Sequence, residues 1–271
     1  MSNSKRLLSV FLAAAAVICV LHAEDKIIAQ IGSDTPRKVL RGSFAWENGV
    51  FKCKLPCQVV FPSRVKVNPS KLYSLSGEFR STSGSPTQDN VWYGFLCFNE
   101  AGREITPRAL NRTTPVLAEL AEPAAKGAKE IVFKSLPPVW EKLLQNNRYF
   151  AVDAKEDRSD LPNLNIVCAA GKSAKKRDDG TVAVKLLTPL PVAADAGTKF
   201  AIHSDGNTYQ FVTPQKAGAE WTGFSGSYAV KAESGITAFR PTTDSIAFGF
   251  FCRDKEGEIE VRNLRLVESD D

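Results

Sequence analysis

The sequence predicts an all-β protein with a sandwich or barrel core. Three observations carry that expectation. Most segments alternate apolar and polar residues with period two, as half-buried strands do. Clusters of Gly, Pro, Asn, Asp and Ser separate these segments. Convincing helical periodicity is scarce along the whole chain, which leaves sheets as the material of the core.

The chain opens on an export signal. Lys5 and Arg6 precede the apolar run 7–21, broken only by Ser9, and Ala23 stands before Glu24-Asp25. This layout predicts a signal peptide over 1–23, cleaved after Ala23. Ile18 is bulky where a lipid-attachment site at Cys19 needs a small residue, so a soluble mature chain is expected. No later stretch approaches the ~18 apolar residues that a membrane span requires. Residues 24–37 read as a linker.

Strands follow in order. "RVKVNPSK" is short, carried by Val65 and Val67 and ended by the turn Asn68-Pro69. In "YSLSGEFR", Tyr73, Leu75, Gly77 and Phe79 share one face, with Ser74, Ser76, Glu78 and Arg80 on the other. "VWYGFLCF" and "SIAFGFFC" are apolar on both faces, which predicts central, doubly covered strands. They echo one another: "YGFLCFNEAGREI" at 93–105 against "FGFFCRDKEGEI" at 248–259. Spacing and downstream chain differ between the copies, so they are expected to be two strands of one sandwich, each leaving through a polar Gly turn. "FSGSYAV" puts Phe224, Gly226, Tyr228 and Val230 on one face. In "EIEVRNLRL", Ile259 and Val261 have the opposite parity to Leu264 and Leu266, and a bulge near Arg262-Asn263 would let all four point inward.

The middle of the chain differs in character. "LAELAEPAAKGA" reads as a short helix or a linker, and "PPVWEKLLQNN" as two helical turns with Trp140, Leu143 and Leu144 on one side. "EIVFK", "YFAVDA", "LNIVCAA", "TVAVKLL" and "KFAIH" are strands.

Charge narrows the partners. Residues 1–23 hold Lys5 and Arg6 and no acid, so the formal charge falls from +5 to +3 on cleavage. Nucleic acid needs a concentrated basic stripe. The one dense cluster, Lys172, Lys175, Lys176 and Arg177, runs into Asp178-Asp179-Gly180 and reads as a solvated loop.

Five cysteines follow the signal: Cys53, Cys57, Cys97, Cys168 and Cys252. Export would expose them to oxidising conditions. "CKLPC" either closes a tight Cys53–Cys57 disulfide across the Pro turn or leaves each to another partner. Its spacing is not that of a CxxC redox or zinc site. Cys97 and Cys252 occupy matching positions in the doubly apolar strands and are either buried thiols or a cross-strand pair. His203 reads as a solvated loop residue, since Ser204 and Asp205 are its chain neighbours and a triad converges from separate segments. Asn111 in "NRT" matches a glycosylation acceptor.

"VKVNPSKLYSLSGEFRSTSG", "VWYGFLCFNEAGREI", "EWTGFSGSYAV" and "FRPTTDSIAFGFFC", closing on "VRNLRLVE", occur in this order. Together they resemble the galactose-binding-like jelly roll of carbohydrate-binding modules in exported bacterial polysaccharide-degrading proteins. "AAKGAKEIVFK", "YFAVDAKEDRSDLPN" and "LLTPLPVAADAGTKFAIH" resemble a small β insertion found within some of those modules. The resemblance implies a discontinuous sandwich over 38–115 and 204–268 around an inserted β subdomain over 116–203. It makes a bacterial source the expectation, where the Asn111 acceptor would be idle. Relatives often close on a Val-Asp-Asp strand and hold a structural calcium. Arg262 stands where the first acid would be, which argues against calcium, since that ion needs several oxygen ligands. No other cofactor is expected.

Sugar recognition needs flat apolar area plus polar groups that fix hydroxyls. Trp46, Trp92, Tyr209 and Trp221 are the candidate aromatics, weighed against the core positions that aromatics on sandwich strands usually fill. Glu78 and Arg80 are the candidate polar partners. Tyr209, beside the polar "HSDGN", is expected to be the most exposed. A hydrolase would need two opposed carboxylates, whereas Asp153, Glu156, Asp157 and Asp160 have the spacing of a surface loop. The expectation is an exported non-catalytic protein of the periplasm, cell surface or medium that binds polysaccharide or surface glycan through a sheet face or loop rim. The alternative is a structural module that pairs with envelope proteins.

Overall fold

The computed structural model describes residues 25–35, 37–83, 90–212 and 216–270. The signal peptide expected over 1–23, with Cys19, lies outside the described residues. The chain is an all-β protein without a closed barrel, and its strands form two sandwiches, one set into the other.

The larger sandwich packs a seven-stranded sheet on a six-stranded one. The seven-stranded sheet runs in the order 236–238, 222–229, 71–81, 258–270, 50–54 and 44–47. Strand Lys26–Gln30 also pairs with the far half of Glu258–Asp270. The stretch 24–37 is therefore not the linker that its position suggested. Ile28 and Ala29 pack against the core, and Ile31 is buried in it, so this segment is a strand with a reason to dock. The six-stranded sheet runs 210–211, 91–98, 245–252, 57–60 and 38–41, with 65–66 also on 245–252.

Period-two alternation builds the core between them. Tyr73, Leu75 and Phe79 point inward from one sheet, and Tyr93, Phe95, Phe248 and Phe250 from the other. Phe79 lies 5.2 Å from Tyr93, 4.7 Å from Phe224 and 5.7 Å from Phe250 by ring centroid. Each such buried ring contributes on the order of 1.5–3 kcal/mol by area alone. The parity conflict in the last strand resolves as expected. Its register shifts between Arg262 and Arg265, Asn263 takes φ 53°, and Ile259, Val261, Leu264 and Leu266 are all buried. Gly77 makes room for that bulge, because a Cβ there would come within 2.4 Å of Leu264 Cδ2.

The echoing segments are neighbours. Val91–Phe98 and Ser245–Cys252 pair antiparallel at the centre of the six-stranded sheet, with Gly94 directly opposite Gly249. Each leaves through a Gly turn, at Gly102 (φ 70°) and Gly257 (φ 92°).

The smaller sandwich packs strands 130–133, 182–185 and 175–176 on strands 166–169, 148–152, 199–203 and 118–119. "LAELAEPAAKGA" forms no helix: Ala118–Glu119 is a strand, held on Lys199–Phe200. The helix Pro138–Leu143 does form and drives Trp140 into the core, stacked on Phe150 at 5.4 Å. Backbone bonds tie the sandwiches together, among them Asn163 N to Ala109 O at 2.9 Å and Thr113 N to Ile202 O at 2.9 Å.

Candidate functional site

The outer face of the seven-stranded sheet is where sequence-predicted residues meet. Alternation turns Ser74, Ser76, Glu78 and Arg80 outward from Lys71–Ser81. The register with the last strand sets Glu78 opposite Arg262 and Arg80 opposite Glu260. Arg262 Nε pairs with Glu78 Oε2, and Arg80 Nε with Glu260 Oε2. Asn263 Nδ2 donates to the same Glu78 oxygen at 3.2 Å. Lys52 extends the row, 3.9 Å from Glu260 and 2.8 Å from Glu47, and this company raises its pKa.

Trp221 enters this face just before strand Thr222–Ala229. Both guanidinium groups lie over its ring, Arg262 at 4.1 Å and Arg80 at 4.7 Å from the centroid. Cation–π contact of this kind is worth about 0.5–1 kcal/mol per pair at partly exposed positions. Beside it is a trough of about 450 Å³ lined by Gln30, Ser76, Glu78, Gly223, Asn263 and Arg265. Trp221, Glu78 and Arg80 thus share one surface. Arg262, opposite Glu78, completes it.

The remaining candidate aromatics lie elsewhere. Trp46 sits on the strand Phe44–Glu47, half-buried against the core with Phe51 at 6.3 Å. Trp92 and Tyr209 belong to the outer face of the six-stranded sheet. Trp92 is covered by Phe211 at 4.5 Å and by Arg253 at 4.1 Å.

Tyr209 is not an exposed platform: only 6% of it is accessible. The edge strand at 210–211 runs tightly against Val91–Phe98 and turns the Tyr209 and Phe211 rings onto the outer face of the sheet, where the paired glycines leave room. A Cβ on Gly94 would meet Gln210 O at 2.2 Å, and one on Gly249 would meet Val59 O at 2.3 Å and Tyr209 Cε1 at 3.2 Å. The Tyr209 ring stacks on Phe211 at 6.0 Å there, and its hydroxyl accepts a hydrogen bond from Gln58 Nε2 at 3.1 Å.

The five cysteines among the described residues, Cys53, Cys57, Cys97, Cys168 and Cys252, are free thiols. Cys97 stands opposite Ile246 and Cys252 opposite Val91, so they form no cross-strand pair, and both are buried. Cys53 and Cys57 are both buried, and the Cys57 thiol is pushed up by its neighbour Cys53 and by burial.

His203 is not a solvated loop residue. It ends the strand Lys199–His203, fully buried, and its Nδ1–H donates to Arg108 O at 2.7 Å. Burial lowers its pKa. The acidic loop is a surface loop. Glu156 pairs with Lys199 at 2.7 Å and Asp153 with Lys155 at 2.9 Å, and the Glu156 and Asp157 carboxyls are held below their ordinary range.

The acid that burial does lift is Glu104, which sequence reading passed over. It lines a cavity of about 320 Å³ at the junction of the two sandwiches, with Arg108, Tyr149, Leu164 and Cys168. Its Oε1 is buried without a hydrogen-bond partner. Glu104 stands alone in the sequence after the Asn99–Gly102 turn, so only the tertiary fold gives it this setting.

Among the described residues no group of three or more His, Cys, Asp or Glu is arranged to hold a metal ion, and no helix is long and apolar enough to cross a membrane. A comparison of the chain with protein-family models finds no match, and neither does a comparison with curated proteins.

Proposed function

We propose that this protein is a non-catalytic carbohydrate-binding module whose ligand lies on the outer face of the seven-stranded sheet. The observation that carries the reading is the Arg80–Trp221–Arg262 stack beside a polar trough. Sugar hydroxyls both donate and accept. Glu78 supplies an acceptor there, and Asn263, Arg262 and Arg265 supply donors. Their mutual pairing fixes these side chains in advance, so a ligand would lose little affinity to ordering them. The order of motifs that resembles jelly-roll modules supports the same reading. Two guanidinium groups already lie over the Trp221 ring, so recognition would rest on hydroxyl hydrogen bonds more than on broad ring stacking. That geometry suits short, polar stretches of polysaccharide.

A glycan array followed by titration calorimetry tests this. Binding is expected with at least one polysaccharide, with Trp221→Ala weakening it at least tenfold and Trp92→Phe leaving it unchanged. Flat isotherms across the panel would remove the proposal.

A protein-interaction module is the second reading. It rests on the edge strand Lys38–Arg41, where Leu40 is 47% exposed. A partner strand could pair along such an edge. Replacement of Leu40 by Lys would then abolish co-purification of an envelope protein and leave glycan binding intact.

A further inference from the structure

We propose that Cys53, Cys57 and Cys252 form one thiol site that takes up a single disulfide, between Cys53 and Cys57, as the chain folds in the presence of an oxidised disulfide compound. Cys252 remains reduced beside it. This inference is independent of the carbohydrate reading.

Three elements bring the thiols together. Cys57 opens the strand Cys57–Val60 and stands directly opposite Cys252 in the antiparallel pairing. Cys53 lies in the strand Val50–Lys54 of the other sheet, one short turn earlier in the chain. All three side chains are within the same buried core. Gly42 closes the site from outside: at φ +86° its missing Cβ would lie 3.0 Å from Cys57 Cβ and 2.7 Å from Lys54 O. No other thiol of the described residues enters this group. Cys97 faces Ile246 at the far end of the strand pair, and Cys168 belongs to the smaller sandwich.

The chemistry is thiol–disulfide exchange. A new Sγ–Sγ bond forms, both thiols lose their protons, and the two electrons reduce the oxidant disulfide to two thiols. The attacking species is the thiolate. In the folded core the Cys57 thiol is pushed up by its contact with Cys53 and by burial, and Cys252 is pushed up to about 12, chiefly by burial. Exchange therefore belongs to the folding chain, before the core closes.

At that stage Cys53 and Cys57 are close in sequence. Cys57 and Cys252 must instead close a loop that spans most of the protein, which is entropically slower. The folded contact between Cys53 and Cys57 then keeps the local bond and joins the two sheets at their shared corner. Cys252, lacking a second partner, is sealed as a buried thiol.

Refolding the purified protein from denaturant in a mixture of oxidised and reduced glutathione tests this, with a parallel sample in dithiothreitol. Trypsin cuts after Lys52, Lys54 and Arg64, which places Cys53 and Cys57 on separate peptides, 53–54 and 55–64. The expected non-reducing map contains these two joined, with Cys252 alkylated on peptide 232–253 after denaturation. In dithiothreitol the joined pair is absent. Cys252→Ser is expected to leave the joined pair in place. A Cys57–Cys252 link, full alkylation of Cys53 and Cys57 after oxidative refolding, or loss of the pair in Cys252→Ser would overturn the proposal.

Discussion

The two outer faces of the larger sandwich obey the same alternation rule and come out as opposites. On the seven-stranded sheet the outward residues of Lys71–Ser81 are Ser74, Ser76, Glu78 and Arg80, and they make a paired, solvent-facing row. On the six-stranded sheet the outward positions of Val91–Phe98 hold Trp92, Gly94, Leu96 and Phe98, and the Tyr209 and Phe211 rings of the edge segment lie over them. A polar outer row leaves a face free to meet a ligand. An apolar one obliges the molecule to cover it with its own chain. That difference is why Trp221 belongs to the candidate site, whereas Trp92 and Tyr209 belong to packing.

The sharpest way to break this comparison is to add one methyl group to each face. Gly94→Ala places a Cβ 2.2 Å from the Gln210 carbonyl, a backbone atom that can move only if the covering segment lifts. The expected cost is about 3 kcal/mol, read as a lowered urea midpoint. Gly223→Ala, outward on the other sheet, meets nothing within 4 Å. There the substitution is expected to be neutral or to stabilise by about 0.4–1 kcal/mol through the unfolded chain. Equal losses at both positions would mean that the two faces are covered alike.

A gentler probe acts on the covering segment itself. Tyr209→Phe keeps the flat ring and removes the hydroxyl that Gln58 bonds. The expected loss is about 1 kcal/mol, with glycan binding unchanged. A loss of binding at unchanged stability would move the candidate site to the six-stranded sheet.

The polar row was legible in the sequence, because alternation alone sets Glu78 and Arg80 outward, and the conflicting parity of Val261 and Leu264 announced the bulge. Three things were not. The place of Trp221 over Arg80 and Arg262 depends on two strand registers that no local pattern fixes. The burial of Tyr209 depends on its packing against two strands far from it in sequence, whose only signal was a glycine at the centre of each echoing strand. The cysteines show the third limit. Matching positions in two similar segments face each other only if the strands run parallel. Here the strands are antiparallel and pivot on Gly94–Gly249, so Cys97 and Cys252 lie three residues from that pivot in opposite directions. At about 3.4 Å per residue they end roughly 20 Å apart, and Cys252 meets Cys57 instead.

The smallest expected effect lies on the polar face, and it tests whether that face exists for binding or for stability. Glu78 and Arg262 are both partly exposed, at 35% and 39%. A pair of this kind is worth about 0.2–1 kcal/mol, less in high salt. A double-mutant cycle of Glu78→Gln and Arg262→Ala is therefore expected to give a coupling at the low end of that range, fading between low and high salt. The same single variants are expected to weaken glycan binding far more than they weaken the fold, because Glu78→Gln removes a carboxylate from the trough and Arg262→Ala removes a guanidinium that lies over Trp221. A large, salt-insensitive coupling with unchanged binding would assign the row to holding the sheet together and leave its outer face without a ligand.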